Sequence, residues 1–301
     1  MNIGYVLQGY PVKSQTWIPL EVEEFKKRGY NISIIDIEKP LNKKTIKNCD
    51  FLLCHFSYQG YYARRWGIPF GVISHAYDIW RDNGKILKTV AQSKNCKFVG
   101  CITQYHKKKY IEWGINNNKL YMTPVCCDTD FFHKKKDKLG NKIIAGGRYK
   151  EKKGLEYAAK GFDDIYIYGK GREMEKLKQI NPNISLLGWI SKEEYRNLMD
   201  DSWLYVSPNI RARDGDMDGQ PTTIKEAMLM ELQVLTTNIA GNREYQNVYF
   251  STVDDISKGF DGEVFNTIPK RRNTKGREFV LKHFSPKVCI DQYLYAIESI
   301  I

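Results

Sequence analysis

Short apolar runs alternate with amphipathic stretches from one end of the chain to the other. NIGYVLQ (2–8), NISIIDI (31–37), FLLCHF (51–56), FGVISH (70–75), KFVGCIT (97–103) and LYMTPV (120–125) form a first set. KIIAGG (142–147), DIYIYG (164–169), ISLLGW (184–189), WLYVSP (203–208) and LQVLTTN (232–238) form a second. Their shortness and their β-branched and aromatic content predict strands. Helix-like spacing fills 16–29, 103–114, 154–162, 171–179, 191–200 and 221–231. This alternation predicts α/β architecture, with parallel sheets covered by helices on both faces. The most polar interruption, HKKKDKLGN (133–141), reads as a linker. The tail from 269 has no strand pattern and reads as two helices broken near Ser285-Pro286. The expected organisation is therefore a domain at 1–138, a second at 139–285, and a closing helix at 286–301 that packs back on the first domain. Both domains are expected to be doubly wound and Rossmann-like, facing each other across a cleft. In such sheets ligands bind at the carboxyl ends of the strands, so the residues that follow each run are the ones to inspect.

Composition supports two ordinary cores: the chain has 301 residues, 42% of them hydrophobic. No apolar run approaches the roughly 18 residues of a membrane span. The opening MNIGYVLQGYPVK reads as a strand and its loop, not a signal peptide, so a cytoplasmic location is expected. Seven cysteines, an odd number with no C-x-x-C pair, read as buried reduced thiols. The net charge of +12 is unevenly placed: residues 1–138 hold 23 Lys+Arg against 12 Asp+Glu, and residues 139–301 hold 24 against 23. A basic first half predicts an anionic partner, such as a phosphorylated acceptor or an anionic membrane surface. His106 to Lys109 and Arg64-Arg65 contribute to that basic face, with Tyr105, Tyr110 and Trp113 interleaved in a helix able to lie on a membrane. A nucleic-acid-binding protein would carry the charge across both halves. The second half is nearly neutral, and no RNA-binding signature is present, so nucleic acid is not the expected partner.

Three loops carry candidate chemistry. GGRYKEKKG (146–154) follows a strand and opens a helix. There Gly147 permits close approach, and Arg148 and Lys153 suit a pyrophosphate at a helix N-terminus. It is not a Walker A loop. YGKGRE (168–173) places Gly169 and Gly171 in a similar turn, where glycine serves either a ligand or merely a tight βα connection. DGDMDGQPTTIKE (214–226) resembles a calcium loop over Asp214, Asp216, Asp218 and Gly219, but position twelve is Lys225 and Glu226 comes one residue late. Pro221 interrupts the loop, and the preceding segment is a strand. A helix starting at Pro221 fits better. The N–H groups of Thr222 and Thr223 would then face an anion, Glu226 would accept hydrogen bonds from a diol such as a ribose, and Asp218 would sit near a hexose. His55 and His75 end neighbouring strand-like runs, and with Asp78 they mark a second site.

Taken together, GYPVKSQTWIPLEVEEFKKRGYNI, HFSYQGYYARRWGIPFGVISHAYDIW, GGRYKEKKGLEYA, LGWISKEEYRNLM, DGDMDGQPTTIKEAM and REFVLKHFSPK resemble, in this order, the motifs of family-4 glycosyltransferases of the GT-B fold, especially the exopolysaccharide and colanic-acid type. The resemblance implies a retaining transferase that moves a sugar from a nucleotide-diphospho-sugar to a saccharide or lipid-diphosphate acceptor. Its second domain would bind the donor and its first the acceptor, with no metal or other cofactor. It further implies that Arg148 and Lys153 neutralise the leaving diphosphate and that Glu226 holds the ribose. Asp218 and the backbone from Gly219 through Gln220, Pro221, Thr222 and Thr223 would hold sugar and phosphates, and His75 would contact the donor sugar. Trp189 and Ile190 fall on the donor side, the Ser14–Thr16 loop near the phosphates, and His55 and Asp78 on the acceptor side. Two departures bear on the sugar: Asp218 stands where the family's E-x7-E element begins with Glu, and Gln220 replaces an apolar residue. Another sugar-nucleotide enzyme of the same fold, such as an epimerase, is the alternative that needs no acceptor.

Overall fold

The computed structural model describes residues 1–12, 15–80, 82–171 and 174–300. The chain divides into two compact units: residues 1–127 together with 284–301, and residues 128–283.

In unit 1 the elements follow as β1 (Asn2–Leu7), α1 (Trp17–Lys27), β2 (Asn31–Asp36), α2 (Lys43–Lys47), β3 (Phe51–His55), α3 (Ser57–Ala63), β4 (Phe70–Ser74), α4 (Tyr77–Trp80), α5 (Lys85–Ala91), β5 (Cys96–Cys101), α6 (Gln104–Glu112) and β6 (Leu120–Met122). The six strands pair in the order β2-β1-β3-β4-β5-β6, and each pair among the described residues is parallel. β3 and β4 are buried at every position, as expected of central strands covered on both faces. β2, at the sheet edge, is buried only at its end, where Ile35 and Asp36 lie.

Unit 2 contains β7 (Lys142–Gly146), α7 (Leu155–Gly161), β8 (Ile165–Tyr168), α8 (Lys176–Ile180), β9 (Ser185–Gly188), α9 (Lys192–Asp200), β10 (Ser202–Ser207), α10 (Thr222–Leu229), β11 (Gln233–Thr237), β12 (Tyr249–Ser251) and α11 (Val253–Ile256), then α12 (Thr274–Phe284). Its parallel sheet runs β9-β8-β7-β10-β11-β12. Strand order therefore reverses between β7 and β10, and the loops after those two strands flank the crevice that such a reversal opens.

Every predicted strand is present. The sequence pattern missed β12, which pairs with β11 through Leu235 and Tyr249. Three residues are too few to display an alternating period. α8 is shorter than the predicted 171–179 helix and starts at Lys176.

The domain boundaries also differ from expectation. Residues 128–138 belong to unit 2 rather than to the first domain. The Lys192 ammonium reaches Asp128 Oδ2 at 2.5 Å, the Lys135 N–H donates to Asp200 Oδ2 at 3.1 Å, and Arg277 Nη1 donates to the Phe132 carbonyl at 3.2 Å. Lys136, one of the lysines that gave this stretch its linker-like composition, pairs with Asp201 just past the end of α9.

The last helix, α13 (Pro286–Glu298), is part of unit 1. Ser285 caps it and Pro286 opens it, and Ile290, Tyr293, Leu294 and Ile297 form a buried stripe at helical spacing. That stripe packs with Tyr5, Phe25 and Phe51 in the core of unit 1. The core of unit 2 gathers Leu155, Phe162, Ile167, Trp203 and Leu204. Among the described residues no helix is long and apolar enough to cross a membrane.

Candidate active site

The loops after β7 and β10 meet through charge. Lys153 closes a short 3-10 turn (Glu151–Lys153), and its Nζ lies 2.6 Å from Asp218 Oδ2 in the acidic loop. Lys152 Nζ lies 3.3 Å from Asp218 Oδ1 and 3.1 Å from Asp216 Oδ2. Burial raises the Asp218 carboxyl, but Lys153 and Lys152 outweigh it, and the group ends below the usual aspartate range. Asn209 Nδ2 donates to Asp218 Oδ2 at 2.9 Å. Ser207 Oγ and Asn242 Nδ2 in turn donate to Asn209 Oδ1, at 2.7 and 3.4 Å. Asp218 is thus embedded in a buried polar layer and committed to two lysines. The sequence singled out Lys153 and Asp218 for separate tasks and passed over Lys152, Asn209 and Asn242.

The approach of the two loops needs glycine at Gly154. Its φ is +59°, and a Cβ there would fall 2.0 Å from the Pro208 carbonyl oxygen. Gly169 has φ +141°, and a Cβ would meet the Gly147 carbonyl oxygen at 1.8 Å. Gly169 therefore serves a tight contact between the turns after β7 and β8. Gly171 packs on Tyr149, Gly147 lies beside the Lys153 stem, and Arg148 is exposed.

Trp189, 52% exposed, follows β9 beside these turns; the Gly169 N–H bonds the Gly188 carbonyl at 2.7 Å. Ile190, next in the chain, is half-buried. A Ser191–Glu194 capping box then fixes the start of α9.

α10 begins at Thr222, one residue later than the predicted Pro-first helix, with Pro221 in the capping position. The Tyr245 hydroxyl donates to the Pro221 carbonyl at 2.9 Å and holds that turn. Gly219 is buried and Thr222 and Thr223 half-buried. Gln220 accepts from the fully buried Lys225 through Oε1 at 3.2 Å, so the substitution of an amide for an apolar residue has a local partner. Glu226, 7% exposed, lies one turn into α10. Burial lifts its carboxyl to about 7, and Lys225 and Lys192 oppose that rise only in part.

Unit 1 gathers the predicted histidines. His55 ends β3 and His75 follows β4, with His55 Nδ1 3.2 Å from His75 Nε2. Their rings stack at 5.4 Å, and Phe56 and Trp17 pack on His75 at 4.7 and 5.2 Å. Phe56 holds φ +78° at this turn. Buried Asp78 is structural in its contacts: it accepts from the backbone N–H groups of Ser57 (2.7 Å), His75 (3.2 Å) and Ala76 (3.1 Å). Burial nevertheless leaves its carboxyl above the ordinary range, since those N–H groups offset only part of the cost. The Gly9 turn after β1 is held by Asp36, which accepts its N–H at 2.9 Å. Thr16 is exposed at the head of α1; Ser14 lies outside the described residues.

His106 corrects one expectation. It is not part of the basic face but fully buried, with Nδ1 2.6 Å from Thr103 Oγ1 and Nε2 3.4 Å from the His75 carbonyl. Burial drops it to about 3. Glu21, fully buried beside His55, was also missed. A helical glutamate in an E-x-E-E run reads as solvated until its partners are known.

The family model for glycosyl transferases group 1 matches residues 140–260. That match falls within unit 2. It holds the Lys153–Asp218 pair and Glu226. Amylovoran biosynthesis glycosyltransferase AmsK of Erwinia amylovora is 27% identical over 158 residues, 46% of this chain and 39% of that protein. The putative colanic acid biosynthesis glycosyltransferase WcaL of Salmonella typhimurium is 31% identical over 114 residues, 33% of this chain and 28% of that protein. The chain thus spans well under half the length of these relatives. The crystal structure of Anabaena Alr3699/HepE in complex with UDP and glucose superposes with a TM-score of 0.78 at 13% identity, covering 99% of this chain and 100% of that one. At that identity the likeness shows the fold, which is GT-B, as the sequence motifs implied.

Proposed function

We propose that the protein is a glycosyltransferase of cell-surface polysaccharide synthesis, moving a sugar from a nucleoside diphosphate sugar to a saccharide or lipid-linked acceptor. The observation that carries this reading is the Lys153–Asp218 pair at the switch point of unit 2, with Glu226 one turn into the following helix. In the reaction the bond between the sugar's anomeric carbon and the β-phosphate oxygen breaks, a bond to an acceptor hydroxyl oxygen forms, and that hydroxyl's proton passes to the departing diphosphate. Negative charge grows on the departing diphosphate. Lys153 is a fixed cation at the place where charge develops, and Arg148 is free of the core and close in sequence. Glu226 accepts from the ribose diol, and Trp189 offers a flat face beside the same strand ends. Retention at the anomeric carbon and independence of metal follow from the family resemblance and belong to the proposal. The support from comparison is that a protein of the same fold binds UDP and glucose.

Unit 1 takes the acceptor. Its basic character suits a lipid diphosphate at an anionic membrane surface, with the protein peripheral on the cytoplasmic side. Isothermal titration with UDP, GDP and ADP tests the donor reading. Micromolar binding of one nucleotide that weakens about tenfold in Lys153→Ala supports it, and equal affinity of the variant and wild type overturns it. Sedimentation with anionic and neutral vesicles at low and high salt tests the membrane part; equal binding to neutral vesicles would overturn that.

A further inference from the structure

The basic charge of the chain is concentrated on one layer of helices. Residues 51–111 hold ten Lys+Arg against two Asp+Glu, which is eight of the chain's net +12. Both acids are used locally. Asp78 is buried, and Asp82 accepts from the Gly84 and Ile86 N–H groups at 2.9 and 3.0 Å. Sheet order decides where this stretch lies. From β2 onward every crossover steps the same way along the sheet, so right-handed connections put α3, α5 and α6 on one face. The step from β1 to β2 runs the other way, so α1 covers the opposite face. There α13 joins it, and the Tyr293 hydroxyl donates to Glu21 Oε1 at 2.9 Å. On the basic face α3 packs against α5 at Gly60, where a Cβ would fall 2.9 Å from Val90 Cγ1.

The outer side of this layer is aromatic as well as basic. α3 buries Ser57, Gln59, Gly60 and Ala63, and leaves Tyr58, Tyr61 and Tyr62 exposed, Tyr62 by 52%. Positions 58, 61, 62 and 65 form one stripe at helical spacing, and exposed Arg65 ends it. The Arg64 guanidinium lies 3.8 Å from the centre of the Tyr61 ring. Beside it α5 exposes Lys85 and Lys88, one turn apart. The helix expected to lie on a membrane was the one at 103–114, but its aromatics are spent inside. Tyr110 is fully buried, and the Trp113 ring fills the space beside Gly84, where a Cβ would meet Cε3 at 2.1 Å. The exposed rings belong to α3 instead.

We propose that the outer side of the α3–α5 layer docks on an anionic lipid bilayer. Tyr61 and Tyr62 sit at the level of the headgroups, and Arg64, Arg65, Lys85 and Lys88 lie against the lipid phosphates. Charge complementarity selects this occupant: cations near such a surface are each attracted to it. The rings select it too, because tyrosine places an apolar body and a polar tip at a membrane–water boundary. A soluble polyanion would engage the cations and leave the stripe of rings without a use. This names the surface for the membrane association proposed above and rests on that reading. α3 begins two residues after His55, so docking also brings the bilayer towards the strand ends of unit 1.

The test uses the full chain and co-sedimentation with vesicles of phosphatidylcholine, with and without phosphatidylglycerol, at low and high salt. The wild type should bind the mixed vesicles only, and less at high salt. Arg64→Ser with Arg65→Ser should weaken that binding roughly thirtyfold. Tyr61→Ser with Tyr62→Ser should weaken it about tenfold. Lys26→Ser with Lys27→Ser removes the same charge from exposed positions of α1 and should change it less than about threefold. Thermal melts check that each variant is folded. All seven native cysteines are buried, so Tyr62→Cys can carry an environment-sensitive fluorophore. Its emission should shift to the blue on mixed vesicles and stay unchanged with soluble polyphosphate. Equal losses from the α1 and α3 cation pairs overturn the docking surface and leave the membrane association standing. A tyrosine pair that binds as tightly as wild type, or a fluorophore that responds to polyphosphate as it does to vesicles, overturns the lipid occupant. Failure of the wild type to bind mixed vesicles overturns both the surface and the membrane association, while UDP titration still decides the donor reading.

Discussion

The Lys153 ammonium lies 2.6 Å from Oδ2 of Asp218, so the cation after β7 and the carboxylate before α10 are one unit. Both side chains are only 13–15% exposed, and Lys152, at 7%, shares the same carboxylate. A lysine held this way is already aimed before any ligand arrives. Asp218→Asn should cost about 2 kcal/mol of stability in urea unfolding, because it leaves two nearly buried ammonium groups short of a partner. Lys153→Ala should cost less, because Asp218 keeps Lys152 and Asn209. It should still weaken UDP about tenfold in titration calorimetry, the loss of one charge-assisted contact of about 1.4 kcal/mol.

Glu226 should make stability depend on pH. Burial raises its carboxyl from 4.5 to about 7 in the folded chain. Below the unfolded value both states are protonated, and the group is neutral to folding. As pH rises from about 4.5 to about 7, the unfolded state releases its proton first, so folding stability falls. Above the folded value the loss is complete, on the order of 2 kcal/mol. Glu226→Gln should therefore gain stability relative to wild type as pH rises from 4 to 8. Urea midpoints across that range check it, and a constant difference between the two proteins would show that Glu226 titrates normally.

Gly154→Ala should be poorly tolerated. A methyl group there meets the Pro208 carbonyl oxygen at 2.0 Å, and the backbone is left-handed at φ +59°. The expected loss is about 2–4 kcal/mol, through strain and the forced separation of the β7 and β10 loops. Urea unfolding measures it, and a change below half a kcal/mol would mean that the loops can shift freely.

Trp189→Ala separates ligand binding from folding. The ring is 52% exposed and follows an edge strand, so stability should change by no more than about 0.5 kcal/mol. If the ring stacks on the nucleotide base, UDP affinity should fall by about 1–3 kcal/mol. Titration of variant and wild type decides it, and unchanged affinity removes Trp189 from the donor site.

Some of the site was legible in the sequence. His55, His75 and Asp78 stood out because each lies just past a strand-like run, and the structure brings them together. Lys153 stood out as a cation in a basic loop between a strand and a helix, and Asp218 and Glu226 as carboxylates in an acidic loop leading into a helix. Glu21, Lys152 and His106 did not. Each sits in a stretch of charged residues that reads as a solvated face, and only packing reveals that these members of the stretch point inward. His106 was assigned to the basic face on the strength of the three lysines after it; Thr103 and the His75 carbonyl draw it inside.

By itself the sequence determined every strand but β12, the longer helices and the parallel α/β class, because those follow from periods of two and 3.6 over a few residues. It also showed that the tail is helical, since Ser285-Pro286 and a stripe of apolar residues are local signals. Tertiary structure alone decided which strand ends become neighbours. The reversal of strand order between β7 and β10 joins Lys153 to Asp218, and the return of α13 to unit 1 places Tyr293 on Glu21. These pairings depend on strand order and on chain returns across the fold. No local pattern encodes them, because their energy comes from burying charged groups against partners distant in sequence.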